Sequence, residues 1–431
     1  MDSVIDITNM TQASGARRDI GGLPDRPQPL RATPYRGAGA GAPPLRTTPP
    51  RLDRPVPLSD IGSEAWQRLA DAAIEPNGYF LPDWEAAVNA FARGRGGASA
   101  LTAWGRADDA TSAAPLIGLL PVISAWRAYR IPLPALVSAD PYGSLGTPLL
   151  DRDAAEDAAR RLMRQARDAG QHALILREVP LAGAALAAFS RVLEADGLRL
   201  RVLQSWQRAA LDATAAAETR LSEGMSGKKL KNLRRLRHRL TEHGEVVFSV
   251  ARTPAEVAAA LDVFLALEAR GWKAQRGTAL AQHDGDITFM RTATAALAAR
   301  GACEIVTLTA GDTPVAAGVV LRHQDRAFWF KIGIDERFAK VSPGVQLALD
   351  LTRHLCADAT IACADSTAMP GHPMIDPIWS ARLAIADVLI PLRRNDPMPA
   401  AIHAALRLRE AARVPARRLV HTLRAIKERQ Q

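Results

Sequence analysis

The chain has 431 residues, a length typical of two or three domains, and 48% of them are hydrophobic, enough to form buried cores. Arginine outnumbers lysine by 48 to seven, and a net charge of +10 favours anionic partners such as phosphates, acidic glycans, nucleic acid or lipid head groups. We find no apolar run long enough to cross a bilayer and no signal peptide, so we expect a cytoplasmic protein. Its three cysteines lack metal-ligand spacing and suit a reducing compartment, and no metal is expected.

The first half of the chain predicts a disordered head followed by an α/β domain. Residues 1–57 are rich in proline, glycine and arginine and cannot bury enough apolar surface to fold. Residues 58–215 follow as the first domain. Its predicted helices are Ser63–Ala73, Pro82–Arg93, Ala154–Ala169 and Leu181–Ala195. Its predicted strands are Ala98–Arg106, Pro115–Ser124, Tyr129–Val137, His172–Val179 and Leu198–Leu203.

The second half, residues 216–393, predicts the same order of elements. A basic helix (Ser226–His243) and a strand (Glu245–Ala251) come first, and Thr253 and Glu256 form a capping box for the next helix. The remaining predicted elements are helix Ile287–Arg300, three strands from Cys303, a helix from Pro343, strand Thr360–Ala364, a short helix near Ile378–Leu383 and strand Ile385–Leu392. Residues 394–431 form a basic helical tail.

Each half therefore predicts two helices, three strands in a meander, a turn with glycine and proline, and then alternating helices and strands. This shared order indicates an internal structural repeat. The fold class that follows is α/β (α+β), with tandem domains whose mixed, mostly antiparallel sheets are flanked by helices. The long apolar strands near Leu116 and Val319 need cover on both faces.

The meander of the second half feeds a helix start that could hold a phosphate. Gly311-Asp312 and Gln324-Asp325 are hairpin connectors, and the third strand runs on to Ser342-Pro343-Gly344. Ser342 is a typical N-cap residue, Pro343 fits the first turn, and Gly344 would let a ligand approach the backbone. The segment Val341, Ser342, Pro343, Gly344 and Val345 predicts a pyrophosphate cradle formed by the free N–H groups of its residues other than Pro343, although a well-capped helix would look the same.

The segment from about Lys228 to Leu392 resembles the GNAT-type acyltransferase domain of bacterial proteins associated with cellulose biosynthesis. It is also similar, more remotely, to the FemAB-like tandem-GNAT transferases. The residues that carry the resemblance are Leu267–Leu280, Lys331–Gly344 and Ala364–Leu383. The resemblance implies an acyl-CoA co-substrate, with acetyl-CoA as the simplest case. The GNAT cradle pattern has two small residues where this chain has Gly344 alone, and the FemAB-like relatives use aminoacyl-tRNA.

Five residues form the predicted substrate-binding set. Trp272 and Lys273 follow a helix stop and suit a cleft wall, or alternatively the core. Lys331 interrupts an apolar strand and must either face a cleft or pair with Asp335 or Glu336, and on a regular strand it shares a face with Trp329. Asp335 and Trp379 complete the set, which is Trp272, Lys273, Lys331, Asp335 and Trp379.

Asp365 and His372 are the predicted catalytic residues. Asp365 ends a short strand before a loop rich in proline and glycine that holds His372. Transfer of an acyl group to an amine needs a base that takes the ammonium proton, and both residues have suitable side chains. The alternative is structural: Asp365 would cap the loop and His372-Pro373 would form a turn.

The sequence thus predicts an acyl-CoA-dependent acyltransferase, acting on an amine or sugar hydroxyl of an envelope or exopolysaccharide precursor. The first domain would be a degenerate partner that shapes the acceptor cleft. One alternative is a FemAB-like aminoacyl-tRNA-dependent transferase, in which the basic helix at Lys228–Arg239 would hold tRNA. Another is a non-catalytic accessory protein of a polysaccharide synthase. The tail 394–431 would lie on an anionic membrane, and nucleic acid other than tRNA is not expected.

Overall fold

The computed structural model describes residues 54–106, 114–270, 277 and 279–412. The predicted disordered head up to residue 53, the substrate residues Trp272 and Lys273, and the tail beyond residue 412 lie outside this part of the chain. Residues 52–431 form one compact unit by their contacts, and everything below concerns that unit.

The strands of the first half are β1 (Val56–Pro57), β2 (Ser99–Trp104), β3 (Leu116–Ser124), β4 (Ala135–Ser138), β5 (Leu149–Leu150), β6 (Ala173–Pro180) and β7 (Arg201–Asp212). Its helices are α1 (Ser63–Asp71), α2 (Pro82–Phe91), α3 (Ala125–Tyr129), α4 (Ala155–Asp168) and α5 (Ala184–Ala195). The predicted strand Tyr129–Val137 is wrong at its start, since α3 ends at Tyr129 and β4 begins only at Ala135. The predicted last strand is too short, because β7 continues up to Asp212.

The strands of the second half are β8 (Val246–Ala251), β9 (Cys303–Ala310), β10 (Thr313–His323), β11 (Arg326–Ile334), β12 (Cys363–Asp365) and β13 (Ala381–Pro391). Its helices are α6 (Ala217–Gly224), α7 (Gly227–Leu240), α8 (Pro254–Arg270), α9 (Asp284–Ala299), α10 (Pro343–Ala357) and α11 (398–412). The helix predicted near Ile378–Leu383 is wrong: Trp379 ends a turn and β13 starts at Ala381.

Local signals explain several of these boundaries. At the start of α8 the Glu256 amide donates to Thr253 Oγ1 (3.3 Å) and the Thr253 amide donates to Glu256 Oε2 (3.0 Å), which confirms the capping box. The two hairpins of the second meander turn at Gly311 and Gln324, whose φ angles of 56° and 53° lie in the left-handed region. None of the described helices is long and apolar enough to span a membrane.

All strands join one thirteen-stranded sheet in the order β1-β2-β3-β4-β6-β13-β7-β12-β11-β10-β9-β8, with β5 attached to β3. Both halves contain an antiparallel meander, β2-β3-β4 and β9-β10-β11, whose last strand pairs in parallel with the next strand, β6 or β12. The mixed α/β fold with a repeated order of elements is therefore confirmed.

The last strands of the two halves are exchanged, which the sequence did not predict. β7 ends the first half but pairs with β12 of the second, and β13 ends the second half but pairs with β6 of the first. β7 and β13 also pair with each other, antiparallel, from Arg201 to Ala210 and from Ala381 to Leu389. The centre of the sheet consequently holds residues of both halves side by side, and the site described next lies there.

Candidate functional site

The parallel strands β11 and β12 separate after three residue pairs, the last being Phe328 with Asp365. β11 continues to Ile334 while β12 ends, and the hydroxyl of Thr367 donates to the carbonyl oxygen of Trp329 across the gap (2.6 Å). We call this opening, between residues 329–334 and 366–369, the notch. Openings at the carboxyl ends of parallel strands are where open α/β sheets place ligands.

A β-bulge decides which side of β11 Lys331 occupies. Lys331 lies opposite Val319, whereas Trp329 lies opposite the next residue, Val320, so Phe330 is an extra residue. The bulge breaks the alternation and leaves Phe330 and Lys331 on the same side of the strand: Lys331 Nζ lies 5.6 Å from the Phe330 ring centre. The prediction that Lys331 shares a face with Trp329 is therefore wrong, because a regular strand was assumed.

Lys331 lies at the boundary between the two halves. Its Nζ is 3.7 Å from Glu268 Oε1 of α8 and 5.5 Å from the ring centre of Tyr142, and its side chain is 25% exposed. Lys331 does not form the predicted pair with Asp335, because the Asp335 carboxylate is bound by Arg337 (2.6 Å). The Arg337 side chain and backbone hydrogen bonds lower the pKa of Asp335. The Asp335 carboxylate thus bonds within its own turn, to Arg337, and the Lys331 side chain is partly exposed.

The helix start of α10 is partly covered. Ser342 is left-handed (φ 53°) and makes no side-chain cap, so its expected capping bond is absent. The amides of Ser342 and Val345 donate to Ala339 O and Ser342 O. A Cβ on Gly344 would lie 3.1 Å from Met374 Sδ, so this glycine accommodates packing rather than open space. Pro343 is also buried, and the predicted cradle lacks an open face at these residues.

A basic groove opens beside the cradle. Its volume is about 360 Å³, and its lining includes Arg239 and His243 from the end of α7, and Arg337, Lys340 and Val341 from the turn before α10. The imidazole of His243 packs edge-on against Phe338, with ring centres 5.0 Å apart. Because Arg239, Lys340 and Arg337 are exposed and only Glu242 adds a negative charge, the groove suits a phosphorylated ligand.

Asp365 forms a buried ion pair with Arg208 of the exchanged strand β7. Both side chains are almost wholly buried, at 1% exposure for Arg208 and 2% for Asp365. The amide of Thr367 donates to the other carboxylate oxygen (2.8 Å), and Arg208 also donates to Ser144 O. Both carboxylate oxygens of Asp365 are thus occupied by structural partners, so the geometry favours the structural alternative for Asp365.

His372 and Trp379 lie in the loop between β12 and β13. His372 Nδ1 accepts the Met374 amide (3.3 Å), and its carbonyl accepts the Asp376 amide (3.0 Å), which is the turn of the structural alternative. Trp379 is fully buried, and its indole N–H donates to Thr352 Oγ1 of α10 (2.9 Å). Trp379 is a core residue, so its assignment to a substrate wall is corrected.

Two residues of the first half reach this region and were not predicted. Burial raises the pKa of the Glu178 carboxyl to about 7, an effect that Arg208 opposes and Asp387 increases. Burial also raises the pKa of Tyr79, next to Thr367, Asp365 and Arg208. Glu178 is left-handed (φ 54°), an uncommon conformation for a residue with a side chain, and it keeps some solvent contact. No local sequence pattern could have identified either residue.

The loop of the first half that corresponds to the cradle is filled by protein. A Cβ on Gly143 would lie 2.3 Å from the Tyr79 ring, and one on Gly146 would lie 2.3 Å from Arg177 O. Directly before Gly143, Tyr142 packs against Phe289 of α9, with ring centres 5.2 Å apart. This loop has no room for a pyrophosphate and instead covers the second half.

Comparisons with known proteins bear on the fold and on the class of domain. The family model of the acetyltransferase (GNAT) domain matches residues 227–368, and no curated protein matches the chain. The crystal structure of FemX is similar, with 9% identity, a TM-score of 0.50, and coverage of 80% of this chain and 98% of that one. The domain match and the fold support an acyltransferase.

Two further solved structures are similar at lower TM-scores. The structure of L-PGS from Bacillus licheniformis has 13% identity and a TM-score of 0.42, covering 77% of this chain and 98% of that one. A tandem GNAT protein from the clavulanic acid biosynthesis pathway has 12% identity and a TM-score of 0.37, covering 80% and 99%.

Proposed function

We propose that the protein is an acyl-CoA-dependent acyltransferase, in the simplest case an N-acetyltransferase. The acceptor would be an amine or sugar hydroxyl of an envelope or exopolysaccharide precursor, as in the cellulose-associated proteins that the sequence resembles, and the reaction would occur in the cytoplasm. The observation that carries the proposal is the basic groove beside the start of α10, within the segment that matches the acetyltransferase domain.

The phosphates of CoA would lie in the basic groove, against Arg239 and Lys340. This placement moves the proposed phosphate contacts from Gly344 to the outer side of the same turn, at Lys340 and Val341, because Met374 covers the glycine. The thioester end would then enter the notch, where the backbone of β11 after the bulge lacks a parallel neighbour. Exposed cations beside a helix start attract phosphate without requiring a second glycine.

The acyl transfer itself would use residues of both halves. Glu178 is our candidate for the base that takes the proton from the acceptor ammonium, since a carboxyl with a pKa of about 7 holds and releases protons near neutral pH. The amine nitrogen then attacks the thioester carbon, the C–S bond breaks, the nitrogen gives up its second proton, and the thiolate takes up one proton, so that the one proton released overall is the one that Glu178 accepts. Tyr79 is a candidate donor of that proton because its raised pKa keeps the hydroxyl protonated. Asp365 and Arg208 would hold Thr367 and the notch in place.

The acceptor would approach past Lys331 and Tyr142. The Tyr142 hydroxyl donates to Asp286 Oδ2 (3.1 Å), which fixes its ring beside the lysine. A partly exposed cation at this position favours an acidic or phosphorylated acceptor. The loop of the first half that carries Tyr142 would in this way shape the acceptor cleft, as proposed for a partner domain without a cofactor.

Calorimetric titration with acetyl-CoA tests the proposal. We expect the wild type to bind, and Arg239→Glu with Lys340→Glu to weaken binding by about tenfold to a hundredfold, with a smaller dependence on salt. Lys228→Glu with Lys231→Glu, at the other end of α7, is the matched control and should bind normally. Failure of the wild type to bind any acyl-CoA, or equal binding by both variants, would contradict the CoA assignment.

An aminoacyl-tRNA donor is the second candidate, and α7 is the observation that favours it. Its exposed side carries Lys228, Lys229, Lys231, Arg234 and Arg235, and within the described residues none of the five forms an ion pair with an acidic side chain. Arg237 is the one cation of this helix that pairs with an acidic side chain among the described residues, namely with Asp350 (2.5 Å). If this candidate is correct, tRNA binding will weaken steeply with salt and will be lost in the Lys228→Glu, Lys231→Glu variant, whereas acetyl-CoA will not bind.

A further inference from the structure

Two helices far apart in the sequence cover one area of the sheet. Ala125 of α3 and Ile402 of α11 are buried in a single apolar cluster with Val137 and Leu389 of the strands beneath. The guanidinium carbon of Arg409 also lies 5.1 Å from the ring centre of Tyr129. These contacts make α3 and α11 neighbours on the surface.

The outer sides of these neighbouring helices carry large apolar side chains. Trp126 of α3 is 54% exposed and Leu408 of α11 is 73% exposed. Neither side chain belongs to the apolar cluster, in which Ala125 and Ile402 are the buried residues of the two helices. Trp126 and Leu408 are thus exposed apolar side chains on adjacent helices, and we call the outer side of these two helices the α3–α11 surface.

Arginines neighbour both apolar residues along these helices. Arg127 and Arg130 follow Trp126, and Arg407 and Arg409 flank Leu408. Within the described residues, Arg130 and Arg407 form no ion pair with an acidic side chain, and the guanidinium of Arg130 lies 5.7 Å from the ring centre of Trp126. Glu410 is the one acidic residue in α3 and α11 as described. The surface is therefore both apolar and cationic.

We propose that the α3–α11 surface docks on an anionic lipid bilayer. Tryptophan favours the boundary between head groups and acyl chains, and arginines around it attract anionic head groups. A protein partner would need a groove or a broad apolar patch, whereas two separate apolar side chains among cations fit a lipid surface. The proposal is independent of the acyl donor and adds the folded helix α3 to the membrane contact expected for the tail.

Co-sedimentation of the full chain with vesicles tests the proposal. We expect binding to vesicles that contain phosphatidylglycerol and not to phosphatidylcholine alone, with a decrease of about tenfold or more in Trp126→Ala, Leu408→Ala. Because both residues are exposed, this variant should keep the thermal transition of the wild type. Met369→Ala, which removes a residue that is 58% exposed in the loop after β12, is the matched control and should bind fully.

Fluorescence gives a second readout. The emission difference between the wild type and Trp126→Phe isolates residue 126, and it should shift to shorter wavelength when anionic vesicles are added. Undiminished vesicle binding by the double variant would overturn the proposal, as would retention on an anionic polymer such as RNA without any binding to vesicles. An unshifted emission of residue 126 in the bound protein would overturn it too.

Discussion

Replacing Glu178 by glutamine should stabilise the protein at alkaline pH and reduce its activity. The pKa of Glu178 rises from the ordinary value of 4.5 to about 7, chiefly through burial. A carboxyl that prefers to be protonated in the folded state favours folding fully below pH 4.5, and this contribution is lost as the pH rises to about 7. Glutamine carries no charge at any pH and avoids that loss.

The size of the effect follows from the shift. At 1.36 kcal/mol per pKa unit, a rise from 4.5 to about 7 has a ceiling of about 3 kcal/mol. Since the Glu178 side chain keeps some solvent contact, we expect Glu178→Gln to gain roughly 1–2 kcal/mol in free energy of unfolding at pH 8 and almost nothing at pH 4.5. Burial thus makes an ionised Glu178 unfavourable, which is acceptable at a site that needs a base.

Urea denaturation at several pH values measures the predicted change in stability, and the pH profile of kcat/KM measures the predicted change in activity. Wild-type activity should rise with pH up to about 7, and Glu178→Gln should lose this dependence together with roughly a hundredfold or more of its rate. Glu194→Gln, on the exposed side of α5, is the control and should change neither property. The same difference in stability between Glu178→Gln and the wild type at pH 4.5 and pH 8 would refute the reasoning about burial. Full activity of Glu178→Gln would refute the role of Glu178 as the base.

Two further substitutions test the packing that holds the site. Arg208→Met should cost about 3–5 kcal/mol in free energy of unfolding, because it leaves the buried carboxylate of Asp365 unpaired. Arg191→Met breaks an exposed ion pair and should cost less than about 1 kcal/mol. Equal effects of the two variants in urea denaturation would contradict the burial of the Arg208–Asp365 pair. Gly143→Ala should cost about 1–3 kcal/mol in free energy of unfolding, since its Cβ would lie 2.3 Å from the Tyr79 ring. Gly227→Ala, with open space around it, should leave the stability unchanged. A stable Gly143→Ala variant with an unaltered KM for the acceptor would argue against the role of the Tyr142–Gly143 loop as a wall of the acceptor cleft.

Local signals predicted the elements well and the site poorly. The capping box at Thr253 and the hairpin turns at Gly311 and Gln324 depend on neighbouring residues, and the structure confirms them. Lys331 shows the limit of such signals: its residue type indicated a cation near a cleft, but the bulge at Phe330 set its direction. A bulge arises from pairing with another strand, so the sequence of β11 alone does not predict it.

The sequence by itself determined that the chain has two halves of similar order, with mixed strands and helices and an excess of positive charge, because periodicity, turn residues and composition are local properties. Tertiary structure decided that β7 and β13 change places, and this exchange joins Arg208 to Asp365 across 157 residues. It also brought Glu178 and Tyr79 to the same cluster. These contacts link residues far apart in the chain, and each side chain receives its partner and its pKa only after both halves have folded into one sheet.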